Sequence, residues 1–282
     1  MSKFPTVLHR RDTYIERIKP FMHTPIVKVM IGHRRVGKSY ILYQLIDEIR
    51  NNEHDANIIY INKEDIAYVD IVSSKDLHDY IASRLMSKRK NYIFIDEIQE
   101  IEGFKVAIRS LALDDSNDIY ITGSNSEMFS SDLANELGGR YVEFKIYSLS
   151  YMEFLNFHKL NNDDESLEKY GRFGGLPYLI HLPMREEVVM EYIRSVYSTI
   201  VLRDVVARHN IRNTAFLEQL IRFLADNIGS LFSSKSISDF LKSQNIRMSP
   251  TLVSEYADAL ASAFVVHRLG RYDIVGKRLF ER

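Results

Sequence analysis

The chain has 282 residues, and its 37 Lys and Arg against 38 Asp and Glu leave a formal charge of −1. Hydrophobic residues make up 45% and charged residues 27%, ordinary globular usage that excludes a disordered tail, a collagen-like rod and a chain held to nucleic acid by bulk positive charge. With no cysteine, disulfides, thiolate metal sites and thiol nucleophiles are excluded as well. No apolar run is long enough to span a membrane, and Met1–Pro5 begins no secretory signal, so the expectation is a soluble, cytoplasmic protein. At about 150 residues per domain the length predicts about two domains.

Short apolar runs alternate with helical periods in the first half. Strands are predicted over Val27–Ile31, Asn57–Ile61, Tyr92–Ile95, Asp118–Ile121 and Tyr141–Ile146. Helices are predicted between them over Lys38–Arg50, Ser74–Met86, Phe104–Leu113 and Ser126–Leu137. Strands and helices alternating at these lengths imply parallel βαβ units, so residues 1–148 read as one α/β domain. From Tyr147 the composition changes. Tyr151–His158, Asp164–Phe173 and Arg185–Arg208 are helical in pattern, with Gly174-Gly175-Leu176-Pro177 and Pro183 as breaks, so residues 149–210 read as a helical addition. Residues 211–282 give helices at Thr214–Asn227, Ser236–Lys242 and Pro250–Ala263, then a strand candidate at Phe264–Leu269. Ser249 before Pro250 is an N-cap with proline at the first helical position. Helix, turn, helix and strand together make the outline of a winged helix.

Gly32-His33-Arg34-Arg35-Val36-Gly37-Lys38-Ser39 fits G-x-x-x-x-G-K-[ST] between a predicted strand and a predicted helix, with Tyr40 continuing that helix. Glycines let backbone N–H groups wrap a phosphate, and the helix N-terminus adds its positive dipole. In that arrangement Lys38 reaches the β- and γ-phosphates of ATP and Ser39 places its hydroxyl on Mg²⁺. The strand Tyr92-Ile93-Phe94-Ile95 delivers Asp96-Glu97 at its C-terminal end, the side of an open α/β sheet where ligands bind. Asp96 is expected in the Mg²⁺ shell, and Glu97 as the base that polarises the attacking water. The same pair would also serve to cap the turn that follows. The strand before Thr122-Gly123-Ser124-Asn125 ends in small polar groups; Ser124 is taken forward as the γ-phosphate contact, although spacing does not separate it from Thr122 and Asn125. Gly138-Gly139-Arg140 is a helix stop followed by an arginine that either pairs with Glu136 or Glu143 on the surface or reaches a phosphate in a neighbouring subunit.

Together Gly32–Ser39, Tyr92–Gln99, Ile121–Ser124, Leu137–Tyr141, Gly174–Pro177 and Leu202-Arg203-Asp204 resemble the AAA-like ATPases of bacteria and archaea that carry a DUF4143 region. The resemblance covers residues from about 20 to 270. It implies an additional-strand P-loop core with the Asp118–Ile121 strand between the P-loop strand and the Asp-Glu strand. It also implies a helical lid over 149–210, a winged-helix-like region after it, and a functional role for Arg140. Such proteins usually continue into a further α/β domain, sometimes nuclease-like, so with the last residues at Arg278–Arg282 that domain is expected to be missing. The implied activity is Mg²⁺-dependent ATP hydrolysis driving the lid against the core. A nucleotide-dependent interaction or DNA-binding regulator with negligible turnover is the alternative, with a homo-oligomer or protein partner possible. The DNA signal is weak: from residue 212 the balance is ten basic against seven acidic residues, and Pro250–Ala263 carries Glu255 and Asp258 with no basic residue. The histidines form no H-x-x-x-H pair, which argues against zinc.

Overall fold

The computed structural model describes residues 5, 7–125, 136–243, 246 and 248–270. Its centre is a five-stranded sheet of β1 (Val27–Ile31), β2 (Asn57–Asn62), β3 (Asn91–Asp96), β4 (Asn117–Gly123) and β5 (Tyr141–Lys145). All neighbours run parallel, in the order β2-β3-β4-β1-β5. β4 therefore lies between the loop-bearing strand β1 and the acidic strand β3, as the resemblance implied. Every residue of β1, β3 and β4 is buried, as expected where helices cover both faces of a parallel sheet. The edge strands β2 and β5 are only partly buried.

α1 (Asp12–Ile18), α2 (Lys38–Asn52), α3 (Ser74–Ala82) and α4 (Phe104–Leu111) attend this sheet. Ile41, Leu42, Leu45, Ile46 and Ile49 of α2 form one apolar stripe; it shares a core with Tyr14, Ile15 and Ile18 of α1 and with Met30, Tyr92, Phe94, Tyr120 and Phe144 of the sheet. The helix predicted over Ser74–Met86 stops at Ala82. Arg84 Nη1 caps the Tyr80 carbonyl at 2.9 Å, and the Met86 N–H bonds Asn91 Oδ1 at 2.9 Å, turning the chain into β3. Apart from the helical Glu136 and Leu137, the helix expected over Ser126–Leu137 lies outside the described residues.

After β5 come α5 (Tyr151–His158), α6 (Asp164–Phe173) and α7 (Glu186–Thr199), which runs on as a π-helical stretch, Ile200–Ala207. α8 (Thr214–Asp226), α9 (Ser234–Ser243) and α10 (Pro250–Ser262) follow. The chain divides into two compact units, residues 1–196 and 197–282. The second has its own core, with Val201, Val205, Phe216, Leu217, Leu220, Ile237, Val253, Tyr256 and Leu260 at its centre. Ser249 caps α10 through the Leu252 N–H at 3.1 Å. The strand expected at Phe264–Leu269 does not form: the segment is a turn and irregular chain. Phe264, at φ 59°, reverses the backbone directly after α10, and no strand of this unit lies among the described residues to pair with it, so the wing of a winged helix is not seen there.

Candidate functional site

Strand register brings three chain segments to one edge of the sheet. Ile31 lies level with Gly123, and Ile95 with Ile121, so the loop after β1, the acidic pair ending β3 and the small polar run ending β4 emerge side by side.

The loop is held from beneath. A Cβ on Gly32 would lie 2.2 Å from the Ile146 carbonyl oxygen, so only glycine lets the loop leave β1 beside the end of β5. Gly37 begins α2 at φ 94°, a left-handed conformation that a side chain would strain. The His33 ring lies 2.6 Å from the Arg34 carbonyl and 3.1 Å from Ser148 Oγ. Arg34 lies 3.6 Å from Glu64, Arg35 is left-handed at φ 67°, and Tyr40 is exposed beside Tyr43. Lys38 is 4% exposed; its Nζ donates to the Gly32 and His33 carbonyls at 3.0 and 3.2 Å and lies 3.3 Å from Glu97 Oε1.

One hydroxyl ties the Asp96 side chain to the Glu97 main chain. Thr122 Oγ1 donates to Asp96 Oδ1 at 2.5 Å and accepts the Glu97 N–H at 2.9 Å. Tyr60 OH donates to Asp96 Oδ2 at 3.3 Å. Burial pushes the Asp96 carboxyl above the usual carboxylate range, against the hydrogen bonds from Ser39 and Thr122. Glu97 is also penalised by burial, but Lys38, Gln99 and Arg34 outweigh that and hold it below its usual range. Glu97 itself sits at φ 56°, an uncommon backbone conformation for a side-chain-bearing residue. Among the three alternatives after β4, Thr122 is therefore committed to the acidic pair, whereas the buried Ser124 hydroxyl accepts from Gln99 Nε2 at 3.3 Å. Asn125 is buried beside it in sequence.

Ser39 and Asp96 offer a hydroxyl and a carboxylate to a hard cation. That small oxygen set suits Mg²⁺, which keeps several waters and takes substrate phosphates as ligands. No cluster of three or more His, Asp or Glu placed to hold a metal occurs among the described residues.

Arg140 does not join this group. It is exposed, and its carbonyl accepts the Val27 N–H at 3.0 Å, which fixes it at the start of β1 and β5, the opposite end of the sheet. Nor do the surface acids expected to pair with it do so in the ion pairs seen: Glu136 bonds Arg109 at 3.1 Å and Glu143 lies 3.9 Å from Lys145. Arg11, which sequence reasoning missed, does reach the loop. It is 2% exposed, donates to the Val36 and Tyr147 carbonyls at 3.0 Å each, and grips Glu153 at 2.8 and 3.0 Å. Tyr14, Ile15 and Ile18 after it have helical spacing, the one local sign that this arginine faces inward.

An AAA domain model matches residues 24–155, and a domain of unknown function (DUF8612) matches residues 164–280, where the resemblance had named DUF4143. An uncharacterized protein of Haemophilus influenzae is 36% identical over 274 residues, covering 95% of this chain and 68% of its own length. An uncharacterized protein of Methanocaldococcus jannaschii is 29% identical over 267 residues, and the chain spans 58% of its length. Among solved structures, the RuvB Holliday junction branch migration motor of Thermotoga maritima gives a TM-score of 0.46 at 14% identity, over 92% of this chain and 90% of that one. AMPPCP-bound DnaA of Aquifex aeolicus gives 0.43 at 12%, over 93% and 88%. No helix among the described residues is long and apolar enough to cross a membrane. Sharing more than a third of its residues with the Haemophilus influenzae protein across nearly its own full length, the chain belongs to that protein's family, and its residues 24–155 match an AAA domain.

Proposed function

We propose that the edge of the sheet bearing Lys38, Asp96 and Glu97 binds ATP with Mg²⁺ and hydrolyses its terminal phosphoanhydride. The observation that carries this reading is the 3.3 Å contact between Lys38 Nζ and Glu97 Oε1. It puts a buried cation in a glycine-bounded loop next to a buried carboxylate, so the groups that would hold the γ-phosphate and its attacking water already share one space. Gly32–Ser39 supplies backbone N–H groups, and Lys38 exchanges its carbonyl and Glu97 partners for phosphate oxygens. That exchange frees Glu97 to accept a proton from water. Mg²⁺, held by Ser39 and Asp96, supplies charge neutralisation at the phosphates. Ser124 contacts the γ-phosphate. Arg140, at the far end of its own sheet, serves the site of a neighbouring copy or none.

ATP binding and release act on the helical lid formed by residues 149–210: γ-phosphate contacts bias it, and hydrolysis removes the bias. The Lys38–Glu97 pair also favours a second reading, an ATP-bound switch whose base is held neutralised and whose turnover is negligible. Multiple-turnover phosphate release with ATP and Mg²⁺, with and without added DNA, separates the two. Hydrolysis lost in Glu97→Gln with binding retained supports the enzyme. A wild type that binds ATP and releases no phosphate supports the switch.

A further inference from the structure

Gln99 stands on the short 3₁₀ turn Ile98–Glu100 that follows the acidic pair. Its Nε2 donates both to Glu97 Oε2 and, at 3.3 Å, to Ser124 Oγ. One amide group thus ties the carboxylate after β3 to the hydroxyl after β4. The opposite atom of the same amide, Oε1, is buried and has no hydrogen-bond partner among the described residues. The carboxylate enforces this orientation, because the reversed amide would set two acceptors against each other. A buried amide oxygen loses its hydration and gains nothing in return unless something donates to it. Being on the same planar group as Nε2, it lies within one side-chain width of Glu97.

We propose that Gln99 is a positioning residue for hydrolysis: it fixes the Glu97 carboxylate through Nε2 and accepts one O–H of the attacking water through Oε1, while Glu97 accepts the other. With both O–H groups taken, a lone pair of the water oxygen is left to meet the γ-phosphorus. The new P–O bond forms as the bond from that phosphorus to the β–γ bridging oxygen breaks. The bonding pair leaves with ADP, and the water proton passes to Glu97 and from there to the departing phosphate. The link to Ser124 makes this arrangement sensitive to whatever that hydroxyl contacts at the γ-phosphate. The inference rests on the ATPase reading above.

The test uses the full chain and ATP with Mg²⁺. In Gln99→Leu, which keeps the side chain's bulk and removes both polar atoms, kcat should fall about tenfold to a hundredfold. ATP affinity measured by calorimetry should stay within about twofold, which also certifies the fold of the variant. The acid limb of its kcat profile should move to higher pH, because Glu97 has lost an N–H donor that favours its charge. Gln99→Glu should behave differently: turnover is low at neutral pH, where two carboxylates face one another. It should recover as pH falls and the shared proton restores a donor between them. Wild-type kcat in Gln99→Leu, an unmoved acid limb, or no acid-side recovery in Gln99→Glu overturns the role of Gln99 while leaving the ATPase reading intact. A wild type that binds no ATP, or binds it without turnover, overturns both.

Discussion

The same sheet carries a buried polar cluster at each end, and the two ends differ in whether their groups are fully partnered by the protein. At the start of the strands, Lys28 pairs with Asp118, and both are fully buried. Lys28 Nζ also donates to the Thr24 carbonyl at 3.0 Å. Asp118 Oδ2 accepts from Tyr120 OH at 2.9 Å and from the His23 N–H at 2.7 Å. Burial pulls the Lys28 pKa down, and the Asp118 charge and hydrogen bond resist it. At the other end Lys38 leans on two carbonyls and on Glu97, and Gln99 Oε1 has no partner among the described residues. Burial of charge is common to both clusters and so marks neither as a site. The mark of a site is a set of partners that a ligand can replace or complete.

Substitutions at the two ends should therefore fail in different ways. The largest effect is expected from Lys38→Ala, which should abolish tight ATP binding, and from Glu97→Gln, which should cut phosphate release about 10²–10⁴-fold at unchanged affinity. Glu97→Gln should unfold near the wild-type temperature. At the other end, Lys28→Met should leave Asp118 buried without its counter-ion and cost about 3–5 kcal/mol in urea unfolding. Adding Asp118→Asn should restore much of that, since an amide oxygen still accepts from Tyr120 and His23. Equal stability loss from Lys28→Met and Lys38→Ala would erase the contrast between the two ends.

Thr122→Val sharpens the contrast within the site. It is similar in shape but strands Asp96 Oδ1 and the Glu97 N–H, so a stability loss of about 1–3 kcal/mol is expected, with weaker Mg²⁺ dependence of turnover as the second readout. The smallest effect is on acid stability. Lys38, Gln99 and Arg34 overcome burial and hold Glu97 below its unfolded value. Its contribution is therefore complete above the ordinary Glu pKa of about 4.3 and fades as pH falls through the depressed folded value. In Lys38→Met the carboxylate keeps its burial and loses its main counter-charge, so its folded value rises toward or past the unfolded one and the acid loss should shrink or turn into a gain. Unfolding curves taken between neutral pH and the carboxylate range would detect that flatter or reversed slope.

Local pattern made much of the core legible. The loop Gly32–Ser39 and the run Tyr92–Glu97 each carry their chemistry within eight consecutive residues or fewer, and buried strands in a parallel sheet are continuous apolar runs. Lys28 and Asp118 escaped attention because each is a lone charge in an apolar strand, and only the pairing of β1 with β4 brings them together. Arg11 was missed for the same reason: its partners Val36, Tyr147 and Glu153 are separated from it by up to 142 residues, and nothing local announces them. Spacing could not rank Thr122, Ser124 and Asn125, because the choice depends on which face of β4 meets Asp96. Phe264–Leu269 has the composition of a strand, but a strand needs a neighbour to pair with, and composition does not report one.

Calorimetric titration of ATP with Mg²⁺ into the intact chain tests the central claim most directly. The account expects saturable heat at one nucleotide per chain, abolished by Lys38→Ala and retained by Glu97→Gln. No heat with the wild type, or heat that survives Lys38→Ala undiminished, would contradict it.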